Sequence, residues 1–222
     1  MIVDLSHVFH DGMPGVRFRS ETGETVELTA HIRPYMTHAQ SHRHYDGKAS
    51  FEISDVAFQS SLGTKMDAPR HRFEGADDVA SIELDRLVLD GALIDARHAG
   101  SGQQLGWADL NFPEHLAGRA VLVNFGWDQY WGMETYRSHP YVSRGVVTKL
   151  CEARIALFGV DCSNVDSTQD AERPAHTWLL RHNILIVENL TGVVSPPRSA
   201  LPLFLHTIEG TRCCSFSSTR LC

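Results

Sequence analysis

The sequence predicts an α/β fold: a mixed β-sheet with flanking helices and antiparallel strands near the N-terminus. Three observations lead there. Continuous apolar runs recur at residues 120–125, 155–160 and 184–188, each of the length and composition of a strand covered on both faces. Segments of helical spacing stand among them. Residues 142–153 carry Val146, Val147, Leu150 and Cys151, and residues 175–181 follow Pro174. Buried strands separated by helices assemble into sheets with parallel pairing. The first half reads differently: residues 24–32 and 51–58 alternate apolar with polar side chains, the period of half-buried, antiparallel strands.

The other elements fit around this frame. Residues 2–5 read as a short first strand, and Asp11-Gly12-Met13-Pro14-Gly15 as a turn. Residues 34–48 are polar and read as irregular. Residues 82–89 are short and apolar and lead into a strand at 92–95; residues 107–110 start a helical turn. No linker, repeat or low-complexity stretch divides the 222 residues, so one domain, 1–222, is expected.

Composition narrows the function classes. The chain is 42% apolar and 21% charged, ordinary for a globular protein. No apolar run reaches the roughly 18 residues of a membrane span, and Met1-Ile2-Val3-Asp4 does not open like a signal peptide, which points to the cytoplasm. The formal net charge of −7 argues against a nucleic-acid partner. Five Cys cannot all pair, no CxxC occurs, and Cys151, Cys162, Cys213 and Cys214 lie in or beside apolar stretches, so reduced thiols are expected. His31, His38, His42 and His44 cluster without regular ligand spacing, which reads as a polar His-rich loop rather than a metal site.

Candidate chemistry gathers where strands end. Asp67, Asp161 and Glu188 each close an apolar segment, and ligands in α/β folds bind at the carboxyl ends of strands. A carboxylate there also serves as a cap, the plainer reading for Asp161. Asp67 stands four residues before His71 with Pro69 between. Proline stiffens that loop, and a stiff loop bearing a carboxylate and an imidazole suits acid–base work or metal ligation. His176 likewise follows a proline, at a helix start. Trp127, Tyr130 and Trp131 form an aromatic group that either packs in the core or walls an aromatic substrate. Arg70 and Arg72 flank His71 as solvated charges or as an anion clamp.

The segment Ser61-Leu62-Gly63-Thr64-Lys65-Met66-Asp67-Ala68-Pro69-Arg70-His71 resembles the H-x-G-T-H-x-D-x-P-x-H motif of the cyclase family, which includes bacterial kynurenine formamidases, isatin hydrolases and some polyketide cyclases. Further landmarks recur in order: Asp4-Leu5-Ser6-His7, Asp11-Gly12-Met13-Pro14, the stretch from Asn124 to Gly132, Gly159-Val160-Asp161, Glu172-Arg173-Pro174-Ala175-His176 and Val187-Glu188-Asn189-Leu190. The resemblance runs over nearly the whole chain.

It implies a homo-oligomer (dimer or tetramer) that hydrolyses a small amide, formamide or lactone. His71 matches the proton carrier, Asp67 the shared metal ligand, and His176 and Glu188 the other ligands of the second metal. The two histidines of the first metal are replaced here by Ser61 and Lys65. Serine is a poor ligand and an ammonium repels a dication. Three expectations follow. One divalent ion, zinc or manganese, is held on Asp67, His176 and Glu188; or no ion is needed because Lys65 supplies the positive charge beside Asp67; or the chain is a non-catalytic ligand binder. A cyclase or dehydratase using the same acid–base pair is the alternative reaction. Phe18, between Arg17 and Arg19, stands near the family's substrate-contacting aromatic, and Arg70, Arg72 and Ser61 complete the substrate-facing set.

Overall fold

The computed structural model describes residues 3–193 and two further strands, Leu201–Phe204 and Ser215–Ser217. The N-terminal part forms two separate ribbons. Strand β1 (Pro14–Arg19) pairs antiparallel with β2 (Thr25–Thr29), and β3 (His31–Met36) with β4 (Ile53–Ala57). Residues 24–32, expected as one strand, are therefore two. The break falls at Ala30, which is fully buried against Phe9, Met13 and Leu62. Its backbone pairs with Gly12 and Met13, so the chain leaves one ribbon there and enters the other.

Two more expectations are corrected. Residues 3–5 form no strand, although the Leu5 carbonyl accepts from the Thr191 N–H at 2.9 Å; Ile2 lies outside the described residues. Residues 34–48 are not irregular throughout, because they hold the end of β3 and helix α1 (His38–His42). The helix starts on a capping box: Thr37 Oγ1 accepts from the Gln40 N–H, and Gln40 Oε1 accepts from the Thr37 N–H at 2.8 Å. Thr-x-x-Gln is a helix-start signature that polarity had masked.

The remaining elements are β5 (Lys65–Asp67), β6 (Val88–Asp95), β7 (Gln104–Leu105), β8 (Ala120–Asn124) and β9 (Tyr141–Val142). Helix α2 (Arg144–Glu152), β10 (Leu157–Val160), α3 (Pro174–Arg181) and β11 (Leu185–Glu188) follow, with β12 and β13 the two strands named above. Among the described residues the main sheet has seven strands in the order β12-β6-β8-β10-β11-β5-β13. The central pairs β6-β8, β8-β10 and β10-β11 are parallel, and the outer pairs are antiparallel. The three continuous apolar runs are β8, β10 and β11, three adjacent central strands.

Alternation sends their side chains to two cores. Val121, Val123, Phe158, Val160 and Ile186 meet Val146, Val147 and Leu150 of α2 and Ala175, Leu179 and Leu180 of α3. Ala120, Leu122, Leu157, Leu185 and Val187 face the other way, with Met66 of β5. This parity positions the site. With Met66 turned from the helices, Lys65 and Asp67 point toward them. The register pairs Glu188 with Lys65 and Ile186 with Asp67, so Glu188 shares that face at the carboxyl end of β11.

Phe158 stands fully buried on β10 at the middle of the sheet. Phe158→Ala is expected to lower unfolding free energy by about 3–5 kcal/mol, read as a lower urea midpoint at unchanged slope. A loss below about 1 kcal/mol, the size of an ordinary substitution, would contradict the core assignment.

Candidate active site

The strand that carries the motif is fixed from both ends. Before it, the Thr64 hydroxyl accepts from the His7 N–H at 3.0 Å and donates to the Asn189 carbonyl. The Asn189 amide donates to the Gly63 carbonyl at 2.6 Å and accepts from the Tyr136 hydroxyl at 2.9 Å. These bonds tie the entry to β5 to the residue just after β11, locking the register that sets Lys65 opposite Glu188. After the strand, Pro69 opens a 3-10 turn that ends at His71. The turn brings the imidazole back over Asp67.

The result is a buried charged cluster. Lys65 Nζ donates to Asp67 Oδ2 at 2.6 Å and lies 2.6 Å from Glu188 Oε2, the latter a close ion contact rather than an aligned hydrogen bond. Glu188 Oε1 accepts from the Val165 N–H at 2.9 Å. His176 Nε2 lies 3.7 Å from Asp67 Oδ2 and 3.5 Å from Glu188 Oε1. His71 Nδ1 lies 3.6 Å from Asp67 Oδ1. The side chains of Asp67, Glu188 and His176 are at most 4% exposed, whereas that of His71 is 28% exposed. His71 is therefore the member of the cluster that meets solvent.

Burial works against every charge here, and neighbours decide the outcome. Asp67 and Glu188 outweigh burial at Lys65 and hold its ammonium above the usual lysine range. Burial would raise the Asp67 carboxyl, but Lys65 and the two histidines hold it well below the carboxylate range. Burial opposes charge on His176 too, yet its contacts with the Asp166 and Asp67 carboxylates push it up to about 9. At His71 burial prevails over the pull of Asp67 and keeps the ring below the usual histidine value. A neutral imidazole at the mouth of a fixed charge array has the form a general base needs.

Known proteins are similar to this chain in sequence and fold. The cyclase family model, described as "Putative cyclase", matches residues 3–167. The chain belongs to this family. It is 29% identical to a kynurenine formamidase of Bacillus mycoides (strain KBAB4) over 171 residues, 75% of this chain and 79% of that one. It is 27% identical to a kynurenine formamidase of Erythrobacter litoralis (strain HTCC2594) over 145 residues, 65% of each chain, so it spans about two thirds of that relative's length. The fold is that of isatin hydrolase A from Labrenzia aggregata, at TM-score 0.79 and 19% identity over 98% of this chain and 91% of that one.

A two-ion complement of the kind the cyclase motif implies does not fit these residues. Ser61 and Lys65 stand at two of its ligand positions, and the Lys65 ammonium, 2.6 Å from both Asp67 and Glu188, would repel a dication there. One ion does fit elsewhere. Asp67, His71 and His176 present ligand atoms that all lie within 4.8 Å of one another. Asp67 Oδ1 and His71 Nδ1 are buried without a hydrogen-bond partner among the described residues. Glu188, read from the sequence as a ligand, has one oxygen on Lys65 and the other on the Val165 N–H, and the group that could hold an ion contains His71 rather than Glu188.

Phe18 is on ribbon β1, 46% exposed. Arg70 is exposed, and Arg72 is pinned to the start of α3 through Thr177 Oγ1 at 3.2 Å and the Glu172 carbonyl at 3.3 Å. Ser61 is half-buried before β5. Trp127 is in the core and Trp131 stacks on His7 at 3.9 Å. Asp161 accepts from the N–H groups of Phe125 at 2.9 Å and Trp127 at 3.0 Å, so it holds a turn. The histidines of residues 31–44 belong to no metal-capable group among the described residues. Asp166, which faces His176 Nδ1 at 2.7 Å, belongs to none of the sequence motifs. Its one signal is a polar loop after a buried strand, where ligand-binding loops of α/β sheets lie.

Lys65→Met leaves Asp67 and Glu188 as buried carboxylates without their cation. It is expected to cost about 3–5 kcal/mol near pH 7. In the parent chain Asp67 is depressed, so its stabilisation is full above the unfolded value of about 3.9 and disappears below it. In the variant, burial raises the same carboxyl and the acid protonates early. The deficit should therefore shrink as the pH falls from 7 toward 4 in urea unfolding. A deficit independent of pH would refute the ion-pair account.

Proposed function

We propose that this chain hydrolyses a small-molecule amide, formamide or lactone by His71-assisted attack of water. One observation carries the reading: His71 alone in the buried cluster opens to solvent, with its Nδ1 directed at Asp67 and its neutral form favoured by burial. The names of the family members similar to this chain, kynurenine formamidase and isatin hydrolase, support acyl C–N bonds as the substrate class.

In this reading His71 takes a proton from water through Nε2 as the oxygen adds to the substrate carbonyl. Asp67 Oδ1 stabilises the imidazolium that forms, as the carboxylate of a catalytic triad does. Lys65 and the protonated His176 together offset Asp67 and Glu188, so negative charge developing on the carbonyl oxygen enters a site that holds two fixed cations. His71 then returns its proton to the departing nitrogen or oxygen. Asp67, His71 and His176 could instead hold a single zinc or manganese ion, which would supply acidified water itself; His71 would then be a ligand and not the proton acceptor.

The test is a panel of aryl formamides, cyclic amides and lactones offered to the purified chain before and after chelation. Turnover is expected, and His71→Ala should lower kcat by roughly 10²-fold or more with KM changed little. The acid limb of kcat/KM should fall below about pH 6.5, the ordinary histidine value, because burial lowers His71. Ring-closed or dehydrated products would move the reaction to the cyclase class. Tight binding of panel members without turnover would make the chain a ligand binder instead.

A further inference from the structure

Asp166 lies on the loop between β10 and α3 and is 1% exposed. Its Oδ1 accepts from the Ala175 N–H at 2.6 Å. Its Oδ2 accepts from the His176 N–H at 3.0 Å and stands 2.7 Å from His176 Nδ1. An ionised carboxylate has no hydrogen to donate, so this contact is a bond only if Nδ1 carries the proton. The two backbone bonds hold the carboxylate in place, and the third contact orients the ring. Nε2 is then the atom facing Asp67 Oδ2 and Glu188 Oε1. The same loop supplies the Val165 N–H that holds Glu188, so one segment sets both groups.

We propose that Asp166 is a positioning residue of this site: by accepting the Nδ1–H of His176 it fixes the ring and its tautomer and aims Nε2 at the Asp67–Glu188 centre. The proposal rests on the reading that this centre is where the reaction occurs. Nε2 is aimed in the same way toward a substrate oxygen or toward a single divalent ion, and carboxylates that orient histidines in this manner change activity or metal affinity by about 10–100-fold when removed.

A purely structural role is the rival account, since the same carboxylate ties down two backbone N–H groups at the start of α3. A double-mutant cycle separates the two. Asp166→Asn, His176→Ala and the double variant are compared for kcat, KM and melting temperature. Acting through His176, Asp166→Asn should lower kcat by about 10–100-fold with KM within about 3-fold, and should change kcat by less than about 2-fold once His176 is alanine. An equal fall in both backgrounds would overturn the proposal.

A second readout needs no substrate. Long-range ¹H–¹⁵N spectra of the histidine rings, recorded above about pH 9 where the His176 ring is neutral, should show a proton on its Nδ1 in the unaltered chain and partial transfer of that proton to Nε2 in Asp166→Asn. An unprotonated Nδ1 in the unaltered chain would also overturn the proposal, even if Asp166→Asn fails to fold. Because this spectrum is independent of turnover, a chain that proves inactive on every substrate sinks the hydrolase reading without deciding the role of Asp166, which the spectrum decides.

Discussion

The ammonium of Lys65, seated between Asp67 and Glu188, is the contact on which the rest of the site depends. Two carboxylates buried on one face of a sheet repel each other and lose their hydration, a penalty of several kcal/mol per ion even after relaxation. A cation 2.6 Å from each removes both problems at once. That placement is a matter of register. Glu188 and Lys65 are direct cross-strand partners, and Asp67 is two residues along the same strand, so all three side chains share a face. A slip of one residue would turn Lys65 and Asp67 into the apolar core that holds Met66. The Thr64–Asn189–Gly63 bonds hold β5 against that slip.

Around this pair the protein arranges its other groups by where they can be anchored. Glu188 is held from the loop after β10 through Val165, and His176 through Asp166. His71 is carried by the Pro69 turn, with its ring against Asp67 and His176. It is the most exposed of the cluster. Buried charge lies beneath and a partly exposed imidazole above. The 3.6 Å separation of His71 Nδ1 from Asp67 Oδ1 is longer than a hydrogen bond, and catalytic contacts commonly close only when substrate is bound.

Much of this was legible in the residues. Apolar runs located β8, β10 and β11 because strands covered on both faces leave an unbroken hydrophobic signature. The Pro69 and Pro174 positions marked turns that present His71 and His176. What stayed hidden has physical reasons. Ala30 carries no strong pattern, so a strand break that exists to bury its one methyl group cannot be read from alternation. Asp166 sits ten residues before the ring it holds, and a lone carboxylate in a polar loop looks like any solvated one. Glu188 could not be told apart as ligand or counter-ion until the position of the Lys65 ammonium was known, because either role asks for the same carboxylate at the same strand end.

The exchange of a ligand histidine for Lys65 also separates two tasks that a metal ion combines. A bound dication both carries charge and acidifies the water on it. An ammonium supplies only the charge, since its nitrogen has no vacant orbital with which to coordinate water and acidify it. In the proposed reaction, proton removal then falls entirely to a side chain, and the chain offers His71, kept neutral by burial while Asp67 waits to stabilise its charged form. The same carboxylate faces Lys65 through one oxygen and His71 through the other. Asp67 thereby couples the fixed charge to the mobile proton, and any change at Lys65 reaches His71 through it. The replacement in the motif and the retention of its final histidine are thus two halves of one electrostatic arrangement.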